Sequence, residues 1–143
     1  MKCFIISQPK AGTYLCSNLL VELGLTQTGM HCKASGLYQK YNLADPDAVR
    51  KTKQYTYRLP SFDNVLETIP DNAFAVGHLG YNIKLVNSLK SFKKILVLRP
   101  FEDFQDAAIR FKQDLNRNVS TSEKKYNLIK EWKNESDVFV INF

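Results

Sequence analysis

CFIISQPKAGTYLCSNLLVELG, residues 3–24, is the stretch that decides how this chain folds. Cys3-Phe4-Ile5-Ile6 is a short apolar run, the composition of a buried strand and too brief for a helix. Ser7 to Gly12 interrupts it with a proline, a lysine and a glycine, which are loop residues. From Thr13 the period changes: Leu15, Leu19, Leu20 and Leu23 recur at three- and four-residue spacing, with Thr13 placed as N-cap and Gly24 as C-cap. Strand, glycine loop and helix in that order make a phosphate-binding arrangement. Loop amides and the helix N-terminus direct positive ends at one point, and Lys10 adds a full charge there. On the loop alone, a plain strand–helix connection with a solvated lysine is the competing interpretation.

With 143 residues, the sequence predicts a single domain spanning 1–143, small for an α/β enzyme. A formal charge of +6 favours an anionic partner, but the basic residues are dispersed, so charge does not select nucleic acid. Three cysteines without metal-type spacing fit reduced thiols, Cys3 and Cys16 in the core and Cys32 in a loop. No apolar run reaches membrane-spanning length and no signal-peptide pattern opens the chain, so a cytoplasmic location is expected. The sequons at Asn118 and Asn134 then carry no meaning.

Further along, residues 26–57 are the least legible, a polar, tyrosine-rich insertion in which His31 reads as isolated and solvent-exposed. Asp45-Pro46 resembles a helix start, and Ser61 to Ile69 a short capped helix closed by Pro70. Ala73 to Gly77, Phe92 to Leu98 and Val138 to Ile141 are predicted strands. Tyr81–Lys90, Glu102–Leu115 and Ser122–Lys133 are predicted helices. Alternating strands and helices predict an α/β fold, a parallel sheet with helices on both faces and right-handed connections. Ligands of such sheets bind at the C-terminal strand ends, where Lys10, His78 and Arg99 all fall.

The Walker order is absent, because Lys10 precedes Gly12. Instead Pro9-Lys10-Ala11-Gly12-Thr13-Tyr14-Leu15 resembles the Pro-Lys-Ser-Gly-Thr-Thr-Trp loop of sulfotransferases that use 3′-phosphoadenosine-5′-phosphosulfate (PAPS). Leu98-Arg99-Pro100-Phe101-Glu102-Asp103-Phe104 is similar to that family's Arg-x-Pro-x-Asp-Val element, with the proline one place early and Ala107 where a serine is usual. Gly77-His78-Leu79-Gly80-Tyr81 is similar to a Gly-His-Leu-Pro-Tyr form in bacterial members, with Gly80 for proline.

The resemblance implies a P-loop-like, three-layer α/β/α fold and sulfonate transfer from PAPS to a hydroxyl or amine acceptor, leaving adenosine 3′,5′-bisphosphate (PAP). It implies that Ala11, Gly12, Thr13 and Tyr14 hold the 5′-phosphate with Lys10, and that Arg99 holds the 3′-phosphate. Lys10 and His78 are the implied catalytic pair, Lys10 beside the bridging oxygen and His78 as base toward a small-molecule, glycan or lipid hydroxyl. No metal is implied and no nucleic acid partner is expected. The family's C-terminal Arg-Lys-Gly and Gly-x-x-Gly contacts are not in the sequence, which suggests a truncated or minimal form. Taken without the family, Arg99–Asp103 reads as a brace at a helix start and His78 as a satisfied structural histidine. A non-catalytic, PAP- or partner-binding descendant is the main rival function, and a small nucleotide-kinase-type phosphotransferase the second.

Overall fold

The computed structural model describes residues 1–51, 53, 55–115 and 122–143. The side chain of Leu115, last residue of the predicted Glu102–Leu115 helix, and the Asn118 sequon lie outside the described residues. The strands are β1 (Lys2–Ser7), β2 (Thr26–Cys32), β3 (Leu37–Lys40), β4 (Thr56–Arg58), β5 (Ala73–Gly77), β6 (Lys93–Leu98) and β7 (Val138–Asn142). The helices are α1 (Thr13–Glu22), α2 (Ala48–Lys51), α3 (Phe62–Glu67), α4 (Ile83–Ser88), α5 (Phe101–Leu115) and α6 (Glu123–Lys130), the last running into a 3₁₀ turn, Glu131–Asn134.

All seven strands join one sheet in the order β4-β3-β2-β5-β1-β6-β7. The expected parallel sheet is therefore corrected to a mixed one. β2, β5, β1, β6 and β7 run parallel, whereas β3 and β4 are antiparallel additions at one edge. The cause is chain length: only residues 33–36 separate β2 from β3, enough for a hairpin but far short of a parallel crossover. Gly36, at φ 80°, turns the hairpin, and a Cβ there would lie 2.6 Å from the Leu59 carbonyl oxygen.

Strand residues alternate between two apolar layers. Cys3, Ile5, Phe74 and Val76 pack with Cys16 and Leu20 of α1 on one face. Phe4, Ile6, Ala75 and Leu96 pack with Val65 of α3, Ile129 of α6 and Trp132 on the other. Helices thus flank the sheet on both faces. The chain steps from β1 across to β2 over the α1 face, and from β5 to β6 and β6 to β7 over the opposite face. Opposite steps on opposite faces are what one hand of crossover requires. The change of face occurs at β1, so the crevice lies where β1 meets β5 and β6.

α1 departs from its predicted face. Its buried stripe is Cys16, Ser17 and Leu20, whereas Leu15, Leu19 and Leu23 are exposed, because the helix seats on the sheet through the Cys16–Leu20 face. Gly12, not Thr13, is its N-cap. Its end is a Schellman turn around Gly24 (φ 87°), with Gly24 N–H on the Val21 carbonyl and Leu25 N–H on the Leu20 carbonyl, both at 2.9 Å. Cys32, expected in a loop, is buried at the end of β2. α4 starts two residues later than predicted, capped by the Asn82 side chain, and leaves Ile83 exposed. Among the described residues, no helix is long and apolar enough to cross a membrane.

Candidate functional site

A cleft of about 850 Å³ opens at the C-terminal ends of β1, β5 and β6. Lys10, Gly12, Thr13, Tyr14, His78 and Arg99 all line it. The strand register brings them together. Ile6 pairs with Gly77 on one side and Leu96 on the other, so each flanking strand ends within a residue or two of the loop after β1.

The loop is tightly curled. Lys10 has φ 63° and Gly12 φ 94°, both left-handed. A lysine there is strained by about 1 kcal/mol or more and needs its surroundings to hold it. Two bonds do so: Ala11 N–H donates to the Gln8 carbonyl (3.2 Å), and the Arg99 guanidinium donates through Nη1 to the Lys10 carbonyl (3.2 Å). Ala11 is buried under α1 in the core, and its amide is occupied within the loop, so the expectation that Ala11 faces a ligand is corrected. Gly12, Thr13 and Tyr14, at the N-terminus of α1, line the cleft, where helix geometry leaves the first amides without partners inside the helix. Lys10 Nζ lies against the Phe111 ring of α5, 3.2 Å from its centroid.

His78 is held by β1. Its Nδ1 lies 2.8 Å from the Ser7 carbonyl and 3.1 Å from Ser7 Oγ, which also bonds Thr13 Oγ1 at 2.7 Å. A carbonyl only accepts, so Nδ1 carries the proton and Nε2 carries the lone pair. Burial, opposed by the Ser7 hydrogen bond and reinforced by the Lys10 charge, lowers its pKa to about 4. His78 is neutral at pH 7.

Arg99 is anchored by its backbone: its N–H donates to Gln8 Oε1 (3.2 Å), and its carbonyl accepts from Tyr126 Oη (2.7 Å). Gln8, fully buried, reaches α6 as well through Nε2 to the Tyr126 carbonyl (3.4 Å). The guanidinium forms no ion pair with Asp103 among the described residues, so the helix-brace interpretation does not hold. The segment α6 to Trp132 also fixes the His78 loop: Trp132 Nε1 donates to the Leu79 carbonyl (2.9 Å) and Tyr81 N–H to the Leu128 carbonyl (2.8 Å). Gly80 sits where a Cβ would come within 2.7 Å of Leu128, which accounts for a residue without a side chain at this position. Ala107 lines the cleft with a methyl group.

The chain matches no family model, no curated protein and no solved structure.

Three residues of the site escaped the sequence. Ser7 and Gln8 read as loop, yet both are fully buried polar side chains that organise His78 and Arg99. His31, read as isolated and exposed, lines the cleft instead. Its ring meets that of His78 edge to face, with centroids 4.6 Å apart, and its Nδ1 is 2.5 Å from Tyr41 Oη. Burial, then the proximity of His78 and Lys33, depresses its pKa to about 3. The alternation of Thr26, Thr28, Met30 and Cys32 was the available signal for β2, blurred by the bulge between Gln27 and His31. Of the tyrosines in the insertion, Tyr41 lines the cleft, while Tyr38 and Tyr57 stack on each other 5.3 Å apart. Among the described residues, no three His, Cys, Asp or Glu side chains are grouped to hold a metal.

Proposed function

We propose that this protein transfers a sulfonate group from PAPS to a hydroxyl acceptor, on a P-loop-like, three-layer sulfotransferase-type fold. The observation that carries the proposal is the convergence on one cleft of a lysine–glycine loop at a helix N-terminus, a guanidinium and an oriented neutral imidazole. The amides of Gly12 to Tyr14 take the 5′-phosphate, and Arg99 takes the 3′-phosphate with the donors it does not use on Lys10. Lys10 stabilises charge on the oxygen that leaves sulfur. His78 Nε2 accepts the proton of the acceptor hydroxyl as that oxygen attacks sulfur. A pKa of about 4 makes His78 a weak base in the empty cleft. An anionic donor beside it raises that value, so basicity develops when the substrate arrives.

A second reading, the same fold binding PAP without turnover, is favoured by Ala107, whose methyl occupies a place where the resembled family uses a hydroxyl. One experiment separates them. Thermal shifts with PAP, AMP and ATP–magnesium are measured on the wild type and Arg99→Ala, followed by transfer of labelled sulfonate from PAPS to a hydroxyl-acceptor panel. PAP is expected to raise Tm more than AMP, with the difference lost in Arg99→Ala. Transfer should fall at least about a hundredfold in Lys10→Ala. PAP binding without transfer selects the second reading. A larger response to ATP–magnesium than to PAP would overturn both.

A further inference from the structure

The His31–His78 pair carries an inference about the acceptor, which rests on the proposed transfer only for its name. The two rings have different hydrogen-bond partners and hence different tautomers. Ser7 O fixes the proton of His78 on Nδ1, leaving Nε2 as an acceptor. Tyr41 Oη fixes His31 the other way. A phenol is the better donor and an imidazole nitrogen the better acceptor, so Tyr41 donates to His31 Nδ1 and leaves Nε2–H as a donor. Burial holds the Tyr41 hydroxyl in its protonated, donating form, with its pKa pushed up to about 12.

We propose that His31 and His78 form a two-imidazole clamp for one neutral hydroxyl group, which donates to His78 Nε2 and accepts from His31 Nε2–H, so that the cleft selects alcohols and phenols over alkylammonium ions. The edge-to-face contact at 4.6 Å brings the two rings close enough to share one small group. An ammonium ion has no lone pair for His31 Nε2–H, and it also meets the positive charges of Lys10 and Lys33, which line the same cleft. Asp45 and Asp47, the carboxylates of the cleft, belong to the loop before α2. Asp45 is bonded there to the Asp47 amide and to Lys51. His31 is a specificity residue in this scheme, and Tyr41 its positioning residue.

The test is long-range ¹H–¹⁵N correlation of the imidazoles at pH 7, readable because the chain has 2 histidines. One ring should be protonated on Nδ1 and the other on Nε2, and Tyr41→Phe should disturb the His31 pattern alone. Benzyl alcohol should move both Nε2 signals and benzylamine, a cation at this pH, neither. His31→Gln should weaken benzyl alcohol binding about tenfold, the loss of one hydrogen bond. Identical tautomers, a charged ring, or benzyl alcohol moving His78 alone would overturn the clamp, and the wild-type spectra decide this even if a variant fails to fold. The PAP thermal shift on the same sample keeps the two proposals apart. Clamp signals without a PAP response sink the donor site only, and a PAP response with unmoved imidazoles sinks the clamp only.

Discussion

The histidine pair makes acid stability a direct reporter of the cleft. Both imidazoles are neutral in the folded protein, with pKa values of about 4 for His78 and about 3 for His31, against 6.5 when unfolded. Both values are depressed on folding, so their contribution is complete above pH 6.5 and is lost as pH falls from there toward the folded values. At pH 5 the unfolded chain binds nearly one proton per histidine and the folded chain almost none. Integrating linkage from pH 7 to pH 5 gives a loss of about 1.9 kcal/mol for each, nearly 4 kcal/mol for the pair. The figure is insensitive to the folded pKa values so long as they lie below about 4.5. A domain of this size has only about 5–15 kcal/mol in hand, so the effect is large. The measurement is urea unfolding between pH 7.5 and 5, followed by fluorescence of Trp132, the single tryptophan and fully buried. Near pH 5 the slope should approach about 2.7 kcal/mol per pH unit, falling to half in His31→Asn or His78→Asn. Asp45, half-buried and with its carboxyl held low by the Asp47 N–H, acts below this window. A change under about 1 kcal/mol between pH 7 and 5, or a slope indifferent to both substitutions, refutes the neutral pair.

Two predictions concern the supports of the site. Lys94, with its ammonium buried, donates to Asp137 and to the Leu89 carbonyl (3.3 Å). Asp137→Ala should therefore cost about 1–3 kcal/mol by urea unfolding while Lys94→Met changes stability by less than about 1 kcal/mol, and equal losses would contradict the argument. Gly80→Ala sets a methyl 2.7 Å from Leu128 Cδ2 and 3.0 Å from Cγ, so it should cost about 1 kcal/mol. Leu128→Ala in the same chain should recover most of that loss, and strict additivity in the double-mutant cycle would show that the two do not touch.

What could be read in advance was whatever depends on local pattern. The strands ending at Lys10, His78 and Arg99 are apolar runs flanked by loop residues, and they are where they were expected. So are α6, which buries Tyr126 and Ile129, and the Ser61 cap of α3, which accepts from the Asn64 amide. The edge strands β3 and β4 were not legible, because none of their side chains is buried and most are polar. Their identity comes from main-chain pairing with neighbours, which leaves little pattern in composition.

By itself, the sequence determined the strand–loop–helix opening, the alternation that builds an α/β sheet, and which strand ends carry charge. Periodicity and turn chemistry act between near neighbours along the chain, and they survive in a string of letters. Tertiary structure alone decided the rest. It set β5 and β6 on either side of β1, turned the Ala11 amide inward, and made Gln8 a bridge from the loop to Arg99 and Tyr126. It also placed His31 against His78, 47 positions away in the chain, each imidazole hydrogen-bonded to a partner on another strand or the loop beyond one. Charge state and hydrogen-bond role are properties of surroundings, and these surroundings come together only when the sheet has formed.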